Sequence, residues 1–215
     1  MQITWYGHSC FLLEAAGEPR VLLDPCDPET GYTLEGIEAD IVTVSHAHHD
    51  HDYVQAVKGD PVVMRLAGER RVNGLCVTGI PTWHDAEKGK RRGSNLMFLI
   101  EMDGIRVLHL GDLGHMPDED LVKRIGQVDL LLLPVGGTYT IDAKTARQVL
   151  DLFAPSVCIP MHYKTDALRF EIDGLDGFLE IVRDLSVHRL NEPSCTLCPG
   201  ALGAGRVVLL DYKKQ

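Results

Sequence analysis

The chain has 215 residues and a formal net charge of −10, from 31 acidic against 21 basic residues. At 45% hydrophobic and 24% charged it has enough apolar side chain for a packed core, which excludes a disordered or fibrous protein. The acid excess argues against nucleic acid or an anionic membrane as the main partner, and the length predicts one domain over residues 1–215.

Short apolar runs bounded by turn residues predict strands at 3–5, 11–13, 21–23, 41–44, 62–64, 75–77, 96–100, 106–110, 130–133, 157–159 and 207–210. Helices are predicted between the later runs. Pro117-Asp118 opens one with Leu121, Val122 and Ile125 on a face, and Asp142 opens another that spaces Ala146, Val149, Leu150 and Phe153 at helical period. Asp173 or Asp176 precedes a third, with Phe178, Ile181, Val182 and Leu185. Strand-rich first and alternating later, the chain reads as an α/β fold with sheet at its centre and helices outside. The polar stretch 89–93 (GKRRG) reads as an exposed loop.

No apolar run approaches the roughly 18 residues that cross a bilayer. The opening residues lack a basic segment ahead of a cleavable apolar stretch, and the six scattered cysteines read as reduced thiols, so the expected location is the cytoplasm, with no membrane partner. Cys195-Thr-Leu-Cys198 has no second pair to complete a zinc site and reads as a loop before the last strand.

Four of the ten histidines fall between His46 and His51. If the strand at 41–44 continues extended, His46 and His48 project the same way, and Asp50 and His51 reach the same pocket once the chain turns. His49 points away from its neighbours and is left out. Imidazole and carboxylate together suit zinc, manganese or iron.

The H-x-H-x-D-H order at 46–51 resembles the signature of the metallo-β-lactamase superfamily. The resemblance extends through Trp5-Tyr-Gly7-His8-Ser-Cys-Phe11, Thr82-Trp-His84, Arg92-Gly93-Ser-Asn95, His109-Leu-Gly111-Asp112-Leu-Gly114-His115, the run 134–142 and Ile159-Pro-Met-His162-Tyr-Lys164. Within it the chain is similar to the small hydrolases related to L-ascorbate 6-phosphate lactonase. That likeness implies a four-layer αβ/βα sandwich with a dinuclear metal site at the sheet edge. It implies that His46, His48 and His84 hold one metal, that Asp50, His51 and His162 hold the other, and that Asp112 bridges them. Zinc is the first expectation, with manganese or iron as alternatives. Asp24 has two readings, a carboxylate that orients a ligand imidazole or a turn-opening residue before Pro25.

The implied chemistry is hydrolysis by a hydroxide shared between two divalent ions, with Asp50 as proton acceptor. Arg92 and Lys164 lie in loops adjoining ligand positions, which suggests an anionic substrate, while Lys90 and Arg91 beside them read more as a solvated charge run; with the resemblance this implies a small anionic ester or lactone. Tyr139 and Tyr163 are candidates to hydrogen-bond an oxyanion. His115 is a candidate substrate contact, and His8 is either that or a packed turn residue. His109 reads as packed or behind a ligand, and His188 as surface. Gly136-Gly137 reads either as a close approach to ligand or as a turn.

Three other activities share this pattern. A phosphodiesterase or nuclease is disfavoured by the charge of −10 and the lack of a basic arm. A diiron-type oxidoreductase would place a Glu at His48. A non-catalytic metal-binding protein would not need so complete a ligand set. A homo-oligomer stays open.

Overall fold

A computed structural model describes residues 1–202 and 205–214. Its strands are β1 (Gln2–Gly7), β2 (Cys10–Glu14), β3 (Val21–Leu23), β4 (Ile41–Thr43), β5 (Val62–Met64), β6 (Gly68–Val72), β7 (Leu75–Trp83), β8 (Ser94–Met102) and β9 (Ile105–His109), followed by β10 (Leu130–Pro134), β11 (Val157–Met161), β12 (Ser186–Arg189), β13 (Ser194–Thr196) and β14 (Arg206–Leu209). The helices are α1 (Glu119–Ile125), α2 (Ala143–Phe153) and α3 (Asp176–Ile181).

Two sheets form. The smaller has the order β13-β1-β2-β3-β4-β5 and the larger β12-β14-β11-β10-β9-β8-β7-β6. Hairpins make the antiparallel halves, whereas β9, β10, β11 and β14 run parallel, with α1 between β9 and β10 and α2 between β10 and β11. Parallel strands covered on both faces lose the alternating pattern, and every residue of β10 and β11 is buried. Alternation survives in β2: Phe11 and Leu13 enter the core between the sheets, and Leu12 enters a second cluster on the opposite face.

The central core joins Ile3, Phe11 and Ile41 of the smaller sheet to Val77, Phe98, Ile100, Val107 and Leu132 of the larger. Each such side chain contributes about 1.5–3 kcal/mol on leaving water, which is the force that clamps the sheets. Asp142 caps α2 by accepting from Thr145 N, and Ala146, Val149, Leu150 and Phe153 are its buried face. Asp118 caps α1 in the same way through Leu121 N. This is the layered α/β sandwich. Over the smaller sheet no α-helix lies among the described residues: Tyr32, Leu34, Ile37, Leu168 and Ile172 cover it, with the short 3-10 helix Val54–Ala56 packed beside them.

All eleven predicted runs are strands. The spacing missed β6, β12 and β13, which lie at sheet edges and bury little. An edge strand hydrogen-bonds one neighbour and needs no apolar face, so no periodicity announces it. Cys195 is thus corrected from loop to strand, since it pairs with Ile3 across β13 and β1. Among the described residues no helix is long and apolar enough to cross a membrane.

Candidate metal centre

Turns at one end of both sheets carry the clustered donors. His8 lies between β1 and β2, Asp24 follows β3, and the loop after β4 runs through His46, His48, Asp50 and His51. From the larger sheet, His84 follows β7, Asp112 lies just past β9 and His162 follows β11. Because β4 ends at Thr43, His46 and His48 do not meet by strand alternation. Bends in the loop bring their rings to 4.4 Å instead.

The donors form three overlapping groups: His46, His48 and His84; His8, Asp50, His51 and His162; and His46, His51 and Asp112. Asp112 reaches into all of them. Its Oδ2 lies 3.2 Å from His84 Nε2, 3.2 Å from His162 Nε2 and 3.8 Å from His46 Nε2, and its Oδ1 lies 3.2 Å from His51 Nε2. Burial works against charging Asp112, but His162 and His51 beside it hold its carboxyl well below the usual carboxylate range.

The donor set fits a divalent cation. Among the described residues, Nε2 of His46, His51 and His162 and Oδ1 of Asp112 are buried without a hydrogen-bond partner. Polar atoms left bare in a protein interior cost about 1–3 kcal/mol each, and a cation that takes a lone pair from each removes that cost. Burial pushes His46 down to about 3, and burial with the neighbouring His162 pushes His8 down to about 4, so both imidazoles are neutral and able to donate.

Behind these atoms lies a hydrogen-bonded frame. Asp24, fully buried, accepts from Ser45 N (2.8 Å), Ser45 Oγ (2.5 Å) and His51 Nδ1 (2.8 Å). With its proton given to Asp24, Ser45 Oγ accepts from His46 Nδ1 at 2.9 Å. With Nδ1 as the donor on His51 and His46, this frame would leave both Nε2 atoms able to offer a lone pair to a cation. On the larger sheet, Asn95 Oδ1 accepts from Asp112 N at 2.9 Å while its Nδ2 donates to Thr82 Oγ1 and Leu110 O. Gly111 has φ +53°, and a Cβ there would stand 2.4 Å from Asn95 Oδ1. His109 is buried: it donates from Nε2 to Ser9 O and accepts from Gly111 N, tying the His8 turn to the Asp112 turn.

A profile of the beta-lactamase superfamily domain matches residues 2–162. A UPF0173 metal-dependent hydrolase from Archaeoglobus fulgidus is 34% identical over 196 residues, spanning 77% of this chain and 84% of its own. Its counterpart from Methanoregula boonei is 33% identical over 215 residues, spanning 88% and 95%. Among solved structures, a Thermotoga maritima protein assigned as a Zn-dependent hydrolase of the metallo-β-lactamase superfamily aligns with a TM-score of 0.80 and 40% identity over 97% of this chain and 98% of that one. This chain belongs to the metallo-β-lactamase superfamily. With those relatives it is a metal-dependent hydrolase.

The hydrolase opens over the centre in a cleft of about 600 Å³. His48, Asp50, His84 and Asp112 line it together with Arg91, Arg92, Tyr139 and Phe170. The Arg92 guanidinium stands over the Tyr139 ring at 5.3 Å, whereas Arg91 pairs with Glu87 at 2.6 Å on the surface.

Three residues expected at the substrate lie elsewhere. Tyr163 is buried against Trp5, ring centroids 5.3 Å apart, and does not line the cleft. Lys164 gives its ammonium to Leu168 O, Phe170 O and Glu171 Oε1. His115 has both ring nitrogens engaged, with Trp83 N and Met116 O. Sequence neighbours of a ligand need not face it, because the chain reverses direction at each strand end. His8 is fully buried with the Asp50 group rather than at the mouth. Gly136 serves packing, not ligand: a Cβ there would stand 2.2 Å from His162 O.

Asp85 was not singled out by its sequence, and its only signal is its place after His84. Its carboxylate accepts from Glu87 N and Gly89 N on one oxygen and from Arg91 N and Arg92 N on the other, at 2.8–2.9 Å. Desolvation opposes its charge, and the four N–H donors outweigh it, holding the carboxyl at about 2. The loop bearing Arg92 is therefore wound around one side chain. Asp85→Ala is expected to speed hydrogen exchange at those four amides by about tenfold or more, while amides of β10 stay protected. Unchanged protection would mean that Trp83, packed on Gly89, holds the loop instead.

Proposed function

We propose that this hydrolase cleaves a small anionic ester or lactone at a pair of divalent cations, zinc foremost, with manganese or iron suited to the same donors. The observation that carries the reading is the position of Asp112, within 3.2 Å of His84 from one donor group and of His51 and His162 from the other. In this reading His46, His48 and His84 hold the first cation, Asp50, His51 and His162 the second, and Asp112 serves both. Cations so held supply Lewis acidity and an acidified water at neutral pH.

The chain's own residues do the rest. Asp50 lines the cleft, and although burial opposes its charge, His51 and His8 keep its carboxyl far below the usual range. As a carboxylate lining the cleft, Asp50 accepts a hydrogen bond from water there and is the proton acceptor of this reading. Arg92, which stands over Tyr139, binds the anionic group of the substrate in this reading, and the Tyr139 hydroxyl donates to an oxygen that gains charge. Phe170 gives the cleft an apolar wall beside the donors.

The test is a panel of phosphorylated and carboxylated esters and lactones, phosphodiesters and thioesters, run with the metal-loaded protein and with Arg92→Ala. Turnover of an anionic ester or lactone is expected. Arg92→Ala should raise its KM by about 10–100-fold, the worth of one charge-assisted contact, with kcat within about threefold. Turnover confined to phosphodiesters or thioesters, or a KM untouched by the substitution, would overturn the proposal.

A further inference from the structure

His8 sits in the turn between β1 and β2 with φ +51° and no solvent exposure. A β-hairpin turn does not need a buried imidazole, and a left-handed histidine there is held by outside contacts. Its carbonyl accepts from Trp5 Nε1 at 3.0 Å and from His162 N at 3.2 Å, which fixes the backbone. Its ring lies 4.1 Å from that of His162 and 5.1 Å from that of His51, centroid to centroid.

Two features match those of histidines already placed as ligands. His8 Nε2 is 3.2 Å from Asp50 Oδ2, as His84 Nε2 and His162 Nε2 are each 3.2 Å from Asp112 Oδ2. Nδ1 is buried and without a partner in all three, among the described residues. Donor atoms that share one cation at about 2.0–2.1 Å stand roughly 2.9–3.4 Å apart, so 3.2 Å is an edge of a coordination polyhedron as well as a hydrogen-bond length. Asp50 Oδ2 also lies 3.6 Å from His51 Nε2, and one donor atom each from His8, Asp50, His51 and His162 fall within 4.8 Å of one another.

We infer that His8 is a ligand of the second cation, so that this site draws four donors of its own from the chain and takes one of them from the amino-terminal hairpin. This rests on the two-cation reading above. With His8, the second site would have one more protein donor than the first, since Asp112 would be common to both.

The experiment uses metal content at equilibrium with a buffered chelator, and proton NMR of the cobalt(II)-loaded protein, in which each ligand imidazole N–H gives a shifted resonance. Wild type, His8→Gln and His8→Asn are compared, the last because Asn tolerates a left-handed φ if Gln prevents folding. The expected result is two equivalents in wild type, one of them bound about tenfold or more weakly in both variants, and one shifted N–H resonance lost. Unchanged affinity overturns the inference, and so does weakened affinity with every shifted resonance retained, since His8 would then only hold Asp50. Wild-type protein that never exceeds one equivalent would instead defeat the two-cation reading.

Discussion

Asp112→Ala is expected to cost the protein at least one equivalent of bound metal and to weaken the remainder by at least about a hundredfold. The lower bound follows because removing a partner behind a ligand already costs about 10–100-fold, and Asp112 is in direct reach of both donor groups. Asp112 is 1% exposed and faces four imidazoles, so its loss removes the one negative charge that lies within reach of all four Nε2 atoms. Asp112→Asn keeps the shape and removes the charge. It separates the two contributions: if geometry alone matters, Asn retains metal; if the shared charge matters, Asn behaves like Ala. Metal analysis after dialysis, with circular dichroism to verify folding, reads the result. Two equivalents and full activity in Asp112→Ala would remove Asp112 from the centre altogether.

Substitution of Asp24 should act on both proposed cation sites without belonging to either. An Asn at this position can still accept from Ser45 N, but its Nδ2 would face Ser45 Oγ and His51 Nδ1, where an acceptor now stands. His51 would then carry its proton on Nε2, the atom that faces Asp112, and could not donate a lone pair there. His46 is reached through Ser45 by the same chain of bonds. Metal affinity is expected to fall about 10–100-fold. Asp24→Asn is the cleaner variant because Asp24 has φ +42°, which Asn accommodates, whereas Ala adds backbone strain and leaves buried donors unpaired at about 1–3 kcal/mol each. Chelator competition measures the affinity, and nitrogen-15 NMR of the imidazoles reads the tautomer. An affinity within twofold of wild type, with the tautomer unchanged, would show that Asp24 only closes the turn after β3.

Much of this protein is legible in one dimension. The apolar runs that became β10 and β11 are buried on both faces, and a run of that kind needs no neighbour to announce it. Asp118 and Asp142 stop the chain and start a helix by a bond that spans three residues, which is local chemistry. The order of donors from His46 to His51 is likewise local. Three of the four edge strands were not legible, because β6, β12 and β13 gain order from the strand beside them and not from their own composition, whereas the apolar run of β5 announced itself.

The amino-acid sequence by itself determined the kinds of donor, their order along the chain and the strand ends that carry them. Which side chains face one another was decided only by the tertiary structure. Lys164 and Tyr163 adjoin His162 in sequence yet turn to the 168–171 loop and to Trp5, while Tyr139 and Arg92, distant in sequence, meet over the cleft. His8 likewise meets Asp50, 42 residues away in sequence, where two turns of the smaller sheet come together. The physical reason is that periodicity sets direction only within a helix or strand. The donors sit in turns, where φ takes values such as +51° at His8 and His162, and there the packing of two sheets fixes what local sequence leaves free.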